Sequence, residues 1–151
     1  MVVGGVPQEF FSVVWRRRDA RHLGAVPADP AFQTFWEFVT LALALLQWAD
    51  DRTCLPLLGD NLSALSDALQ LDGTLMMRCV AQEIAWRKAR FGWEFACGHL
   101  PAEANATADA LSRLEAPDAK PFPERLRGCR QVLALPVRHL WTIPDLSQRV
   151  P

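Results

Sequence analysis

Residues Gly92-Trp-Glu-Phe-Ala-Cys-Gly-His-Leu-Pro-Ala-Glu-Ala-Asn-Ala-Thr-Ala-Asp-Ala-Leu-Ser-Arg113 specify a strand, a loop and a helix in immediate succession. The part from Gly92 to Cys97 alternates as a strand does, and His99–Pro101 predicts a loop. The run from Ala102 to Leu114 is predicted to be the last helix. A strand that leads through a loop into a helix is typical of the α/β class.

Three further helices are predicted upstream of this stretch. Asp29 is a favoured N-cap and Pro30 a favoured first helical residue, so a helix should run from about Ala31 to Ala49. Almost every position in it is apolar, which indicates that it is covered on most of its faces. Further helices are predicted at Asn61–Leu71, where leucines share one face, and at Thr74–Arg90.

The extended segments complete a mixed order of elements. Met1–Val3 and Glu9–Trp15 are predicted strands with a Gly-Gly turn after the first, and Arg16–His22 is interpreted as a charged connection. Thr53–Gly59 is predicted to be a buried strand, although Pro56 lacks a donor for the ladder. Hairpin, helix, strand, helix, helix, strand and helix in this order indicate an α/β fold with a mixed central sheet flanked by helices.

Composition is that of an ordinary globular protein. The 151 residues are enough for one domain, predicted at 1–114, followed by a Pro-rich C-terminal tail at 115–151. The net charge of −1 means that nucleic acid would have to be contacted by a local basic patch. The apolar run Phe38–Trp48 is too short to cross a membrane, and no signal peptide opens the sequence. Four cysteines without close pairing indicate reduced thiols in an intracellular protein of the cytoplasm or nucleus.

Three carboxylates stand out, and each has an ordinary explanation when taken alone. Glu37 lies among apolar neighbours but could face solvent, and Asp60 ends a strand where it or Asn61 could cap the next helix. Asp109 lies early in the last helix, where the helix dipole favours a carboxylate. Together the three could converge on one point from distant parts of the sequence. Such a cluster suits Mg²⁺ and the two-metal hydrolysis of phosphodiesters.

The segment His99–Arg113 resembles the C-terminal signature of retroelement ribonuclease H domains. In that family a His-x-Pro-Gly loop is followed by Asn and then by Ala-Asp-x-Leu-Ser-Arg; here Ala102 replaces the usual Gly. The stretch Phe32-Gln-Thr-Phe-Trp-Glu37 resembles the helix that carries the second catalytic carboxylate, and Gly59-Asp-Asn61 resembles the strand end that carries the third. The resemblance covers roughly Val2 to Arg113 and points to gypsy-like or DIRS-like reverse transcriptases.

This resemblance implies a ribonuclease H-like fold, a metal site and a substrate. Glu37, Asp60 and Asp109 would be ligands of Mg²⁺, with Mn²⁺ as an alternative ion. His99 would assist proton transfer or product release, unless it is a loop histidine without a role. Contacts with nucleic acid are assigned to four further residues: Asn61, Asn105, Arg87 and Lys88. The expected partners are an RNA–DNA hybrid, recognised by its shape and 2′-hydroxyls, and an upstream reverse transcriptase domain, with no membrane.

Two basic clusters could supply phosphate contacts, and each could equally be a solvated face. The first consists of Arg16, Arg17, Arg18 and Arg21, and the second of Arg87, Lys88 and Arg90. Asn105 could be structural instead of lying near the substrate.

One family feature is missing, namely the first strand with the carboxylate expected to bridge both metals. We therefore expect an N-terminally truncated domain that is inactive alone. In the family, strand one lies between strand two and the strand that ends at Asp60. The sheet should accordingly show a break, or Met1–Val3 should pair beside Leu55–Leu58.

Three functions remain open on the sequence. The first is a truncated endonuclease domain for RNA–DNA hybrids, which the retained Glu37, Asp60 and Asp109 favour. The second is a non-catalytic module of the same fold, either a connection-like spacer or a partner-binding domain, which the missing strand favours. The third is an unrelated helical interaction protein, which the match of His99–Arg113 disfavours.

Overall fold

The computed structural model describes residues 1–27, 29–49, 54–70, 75–101 and 103–136. Within these ranges the helices are α1 (Arg17–Leu23), α2 (Gln33–Trp48), α3 (Leu62–Gln70), α4 (Leu75–Phe91) and α5 (Ala106–Ser112). The strands are β1 (Val2–Val3), β2 (Val6–Pro7), β3 (Glu9–Phe10), β4 (Cys54–Gly59), β5 (Glu94–His99) and β6 (Arg130–Gln131). Single 3-10 turns occupy Pro30–Phe32 and Glu124–Leu126. The mixed α/β class is therefore confirmed.

The parallel pair β4–β5 and the helices α2 and α4 form the centre of the molecule. The pair is in register from Cys54 opposite Glu94 to Gly59 opposite His99. Phe38 and Val39 of α2 and Val80 of α4 are completely buried. The inward-facing side chains of the strands pack against this core: Leu55, Leu57, Phe95 and Cys97. Burial of this apolar surface is the main favourable term that holds the elements together.

The predicted roles of Asp29 and Pro30 are confirmed, although α2 itself begins at Gln33, two residues after the predicted start. Asp29 Oδ1 accepts a hydrogen bond of 2.9 Å from the Ala31 backbone N–H, and Pro30 opens the 3-10 turn that leads into the helix. The predicted helices at 61–71 and 74–90 and the strand at 53–59 are found within a few residues. The expectation that this strand is buried is wrong, because its alternate residues Cys54, Pro56 and Leu58 are exposed. Thr53, Leu71 and Thr74, at their predicted ends, lie outside the described residues.

The described strands do not join into one central sheet. They form three separate pairs, β1–β2, β3–β6 and β4–β5. A break was one of the two expected outcomes, whereas pairing of Met1–Val3 beside Leu55–Leu58 is wrong, because β1 pairs with β2 instead. Two positive-φ glycines, Gly4 and Gly5, make the tight turn that closes this hairpin.

Three further expectations are corrected. The strand predicted at Glu9–Trp15 is only two residues long, because its partner β6 offers only two residues for pairing. The supposed charged connection is helix α1, which is capped by Asp19 Oδ2 accepting from the Arg16 N–H at 2.7 Å and ends at Gly24 in the left-handed region. The last helix is shorter than predicted and begins at Ala106, because a turn held by the Asn105 N–H to the Pro101 carbonyl precedes it.

The C-terminal segment, residues 115–136, folds back onto the N-terminal segment, residues 1–10. Strand β6 pairs in parallel with β3, and Leu126 is buried. The Glu9 carboxylate accepts from Trp48 Nε1 at 2.9 Å and pairs with Arg130, and these two contacts, in that order, lower the pKa of Glu9. The described part of the Pro-rich segment is thus attached to the N-terminal segment.

Candidate functional site

The carboxyl ends of β4 and β5 place Asp60 and His99 at the same edge of the strand pair. Gly59 lies opposite His99, and the Leu100 N–H donates to the Gly59 carbonyl at 2.8 Å. Asp60 follows Gly59 directly, and both Asp60 and His99 are exposed. Ligand sites in α/β proteins gather at this edge of a parallel sheet, because the loops after the strands are free to vary there.

Helix α2 brings Glu37 to the same edge. Glu37 and Asp60 line one small pocket of about 360 Å³, together with Gln33, Asn61 and Ser63. The Glu37 carboxylate accepts a hydrogen bond of 3.1 Å from Gln33 Nε2, one turn earlier in the helix. We call this the Glu37–Asp60 pocket.

Asn61 holds the two walls of the Glu37–Asp60 pocket together. Its Oδ1 accepts from the Ala64 N–H at 3.0 Å, so Asn61 caps helix α3, as one of the two sequence interpretations held. Its Nδ2 donates to Thr34 Oγ1 of α2 at 3.3 Å. The amide group is thus engaged on both sides, and a contact of Asn61 with nucleic acid stays a prediction.

Asp109 does not line the Glu37–Asp60 pocket. Its carboxylate accepts from Arg113 Nε at 2.8 Å and from Lys120 Nζ. Arg113 also donates to Asp118 Oδ2 at 2.8 Å, which ties helix α5 to the segment after it. The hydrogen bond from Lys120, followed by that from Arg113, lowers the pKa of Asp109.

Two carboxylates are a sparse donor set for the expected metal. No group of three or more His, Cys, Asp or Glu side chains in the described ranges comes together in a way that could hold a metal ion. Glu37 and Asp60 supply oxygen ligands of the type that Mg²⁺ prefers, but they do not fit a two-metal centre. Asp109 would have to leave Arg113 and Lys120 to complete even a three-carboxylate set.

Arg87 and Lys88 of α4, which were both expected to contact nucleic acid, lie in different environments. Arg87 Nε donates to Glu83 Oε1 at 2.7 Å, and the Glu83 side chain is only 1% exposed. Lys88 is exposed, with its ammonium 5.1 Å from the centre of the Phe95 ring. Arg87 therefore stabilises a buried carboxylate, while Lys88 is accessible to solvent.

The last of the assigned residues, Asn105, precedes helix α5. Its backbone carbonyl accepts from the Asp109 N–H at 3.0 Å, and its side chain makes no capping hydrogen bond. This position is consistent with the structural interpretation of Asn105, and it leaves the substrate contact as a prediction.

A larger groove next to the Glu37–Asp60 pocket was missed by sequence reasoning. It has a volume of about 660 Å³, and its walls are the segment from Phe11 to Trp15, the first two turns of α2, and α5. Trp15 stacks on Trp36 with ring centres 4.6 Å apart, and Ser12 Oγ donates to the Leu111 carbonyl at 3.2 Å. Glu37 lines both cavities. We call it the α2–α5 groove; the wrong strand assignment at Glu9–Trp15 concealed it.

No model of a known protein family matches this chain, and no significant similarity links it to a curated protein or to a solved structure. None of the helices in the described part of the chain is long and apolar enough to cross a membrane.

We expect the variant Lys120→Gln to raise the pKa of Asp109 toward that of an ordinary aspartate, because Lys120 is the largest cause of its depression. A depressed carboxylate pKa stabilises the fold above the pKa of the unfolded chain, and this contribution is lost as the pH falls through the folded pKa. Any loss of stability in the variant should therefore be present at neutral pH and disappear in acid. NMR titration of the Asp109 carboxyl measures the shift, with Lys88→Gln as the control. An unchanged titration would show that the Lys120 contact does not form in solution.

Proposed function

We propose that this chain is a ribonuclease H-like domain of a retroelement reverse transcriptase, which contacts an RNA–DNA hybrid and, as these 151 residues, does not cleave it. The proposal includes an upstream reverse transcriptase domain as partner and a location inside the cell, in the cytoplasm or nucleus. The activity of the family, hydrolysis of the RNA strand of the hybrid, is what the resemblance supplies.

One observation carries the proposal. Glu37 and Asp60, which match family positions for two metal-binding carboxylates, line the same pocket although 22 residues separate them in the chain. His99, which matches a third family position, lies at the same edge of the strand pair, opposite the residue that precedes Asp60. Three of the four residues that match family positions therefore lie at the carboxyl ends of parallel strands, where such a site is expected, while the fourth, Asp109, does not line the pocket.

The metal of the family, Mg²⁺ or Mn²⁺, is poorly accommodated by the described residues. Glu37 and Asp60 would be the residues to hold one ion, and a second ion lacks ligands. The proposal therefore derives no catalytic step through a metal.

A non-catalytic module of the same fold is the second candidate, and the surroundings of Asp109 favour it. Arg113 and Lys120 neutralise this carboxylate, as expected where a former ligand position has become a structural ion pair. As a connection-like spacer this module would still contact a hybrid, whereas as a partner-binding domain it would not, and only the first candidate would retain a use for the Glu37–Asp60 pocket.

Binding of a labelled RNA–DNA hybrid, compared with a DNA duplex of the same sequence, tests the shared part of the proposal. Measurement by fluorescence anisotropy in EDTA avoids any cleavage. We expect the hybrid to bind more tightly, because a protein of this family reads the shape of the hybrid and its 2′-hydroxyls. Equal binding of both duplexes, or no binding of either, would contradict the proposed function.

The variant Asp60→Asn tests whether the hybrid reaches the Glu37–Asp60 pocket. In EDTA we expect it to bind the hybrid more tightly, by up to about fivefold, because it removes a negative charge close to a phosphate. The control is Glu124→Gln, which removes an exposed carboxylate of the C-terminal segment and should leave the affinity unchanged. Equal affinities of Asp60→Asn and the unsubstituted chain would place the hybrid away from this pocket.

A further inference from the structure

Helix α1 and its N-cap residue present four arginine side chains to solvent. Arg16, Arg17, Arg18 and Arg21 are all exposed, and they lie within six consecutive positions of a chain whose net charge is −1. We call them the α1 arginine cluster. The only large apolar residue of the helix, Leu23, is 2% exposed and belongs to the core.

The α1 arginine cluster is weakly compensated by acidic groups. Among the described residues, Asp19 is the one carboxylate paired with it, at 3.8 Å from Arg18 Nε. That carboxylate is 14% exposed and already accepts the Arg16 backbone N–H at 2.7 Å, so it serves the helix cap. Four other arginines of the described chain pair with carboxylates at closer range: Arg87, Arg113, Arg127 and Arg130. A concentrated positive surface therefore remains on α1.

The α1 arginine cluster follows in the chain directly after a residue of the α2–α5 groove. Trp15 lines the groove, and the next residue, Arg16, opens the cluster. Trp15 stacks on Trp36, which is followed in the chain by Glu37, the residue shared by the groove and the Glu37–Asp60 pocket. The groove and the pocket thus share Glu37, and the chain leads from the groove into the basic cluster at Trp15 and Arg16.

We propose that the α1 arginine cluster binds the phosphate backbone of a nucleic acid duplex that continues along the α2–α5 groove to the Glu37–Asp60 pocket. This inference rests on the proposed function and names the surface that holds its substrate. In this proposal the α1 arginine cluster is the principal phosphate contact, in place of Arg87, whose guanidinium pairs with Glu83.

The chemistry and size of the cluster fit a polynucleotide. Guanidinium groups bind phosphate oxygens in a bidentate manner, and all four cations are arginines. A helix of seven residues is about 10 Å long, which matches the axial rise of about three phosphates of one strand. A lipid surface is the rival anionic partner. Helix α1 lacks the exposed apolar face that an interfacial helix inserts into a membrane, since Leu23 is buried.

The test compares two double variants of the full chain. Arg17→Gln with Arg21→Gln removes two exposed cations from the α1 arginine cluster, and Arg125→Gln with Arg127→Gln removes two exposed cations from the C-terminal segment. Affinity for a labelled RNA–DNA hybrid, and for the corresponding DNA duplex, is measured in EDTA over a range of ~50–200 mM salt. Thermal unfolding of each variant verifies that the fold is retained.

We expect the α1 variant to bind the hybrid at least about tenfold more weakly, and the slope of log affinity against log salt to fall by about 2, since each lost phosphate contact removes about 0.9 from it. The control variant should change the affinity less than about twofold. A helix that only supports the fold would not alter the salt slope. An unchanged slope in the α1 variant would overturn the inference.

Two further outcomes separate this inference from the function on which it rests. Equal binding of hybrid and DNA duplex, with a slope that depends on α1, would support the arginine surface and contradict the ribonuclease H-like function. A preference for the hybrid, with a salt slope that is unchanged in the α1 variant, would support the ribonuclease H-like function and contradict the arginine surface. Binding to vesicles of phosphatidylserine and phosphatidylcholine is measured last. Binding to these vesicles that is lost in the α1 variant, without binding to either duplex, would overturn nucleic acid as the partner.

Discussion

We expect no measurable Mg²⁺-dependent cleavage of an RNA–DNA hybrid by residues 1–151. Two-metal hydrolysis requires one metal to activate water and another to stabilise the leaving oxygen. The described residues bring only Glu37 and Asp60 together, while Asp109 is engaged by Arg113 and Lys120. Each ~1.4 kcal/mol of lost transition-state stabilisation lowers the rate tenfold, and the missing ligands remove several kcal/mol. The rate of cleavage should therefore lie at least about a thousandfold below that of an intact ribonuclease H.

The measurement is gel analysis of a hybrid labelled on its RNA strand, with an intact ribonuclease H as the positive control. If the chain is a truncated endonuclease, fusion of a family first strand, with its aspartate, to the N-terminus should restore cleavage, and this also requires Asp109 to leave Arg113 and Lys120. Asp60→Asn in that fusion should abolish it again. Mn²⁺ should rescue at most a trace in the unfused chain, because it is less strict than Mg²⁺ about its ligands. Robust cleavage by the unfused chain, lost on Asp109→Asn, would show that another residue supplies the missing ligand.

The elements that sequence predicted correctly are those specified by neighbouring residues. Asp29 caps the 3-10 turn that leads into helix α2, and the apolar sequence of α2 is buried against α4 and the strand pair. Strands β4 and β5 each begin and end within two residues of their predicted bounds. In these segments the local pattern and the tertiary environment favour the same structure, so the sequence suffices.

Two parts of the N-terminal region were predicted wrongly, for different reasons. Residues Glu9–Trp15 have the composition of a strand, but only Glu9 and Phe10 find a partner, and that partner is β6 of the C-terminal segment. Helix α1 is rich in arginine and was interpreted as a connection, whereas Asp19 and Gly24 cap it and Leu23 anchors it in the core. The caps of α1 are local signals that were overlooked beside its arginines, whereas the pairing of Glu9 and Phe10 with β6 is a long-range contact that no local pattern encodes.

Pro56 shows how an apparent objection is resolved by topology. The Gly59 carbonyl accepts from Leu100, so residues 55, 57 and 59 direct their backbone groups toward β5. Cys54, Pro56 and Leu58 therefore direct theirs to the other side of β4, where no strand pairs within the described residues. Proline is tolerated on such an edge, since the missing N–H costs no ladder bond, and it disfavours pairing with a further strand.

This position of Pro56 bears on the family assignment. In the family, strand one would lie along the outer edge of β4, and Pro56 removes one of the donors that would bind it. The fusion described above therefore also tests whether this edge still accepts a strand. A fused chain that gains no protection of the β4 amides from hydrogen exchange would favour the non-catalytic candidate.

The candidate site was predictable in its residue types but not in its pairings. Glu37, Asp60 and His99 were chosen from family positions and lie at one edge of the strand pair. The ion pairs of Asp109 and Arg87 were not foreseen, because a carboxylate or guanidinium in a sequence does not reveal which opposite charge the fold brings to it. The pairing of Arg87 has the larger consequence for stability.

We expect Arg87→Gln to lower the free energy of unfolding by about 3 kcal/mol, the lower end of the usual cost of removing one partner from a buried ion pair. Glu83 is 1% exposed, so its carboxylate cannot be fully rehydrated when the guanidinium is lost. Arg87 itself is 22% exposed, which keeps the expected cost at this lower end. Its guanidinium also lies 6.0 Å from the centre of the Trp93 ring, and that contact is lost as well.

Urea denaturation measures this change, and Lys88→Gln is the matched control on the next residue. The control should stay within about 0.5 kcal/mol, since Lys88 is exposed. The double variant Glu83→Gln with Arg87→Gln should recover part of the lost stability, because burial of an amide costs less free energy than burial of a carboxylate that has lost this cation.

The folded Arg87→Gln variant should bind the hybrid with an unchanged slope of log affinity against log salt. A variant of normal stability whose salt slope falls by about 1 would instead make Arg87 a phosphate contact, and the sequence-based assignment of this residue would be right.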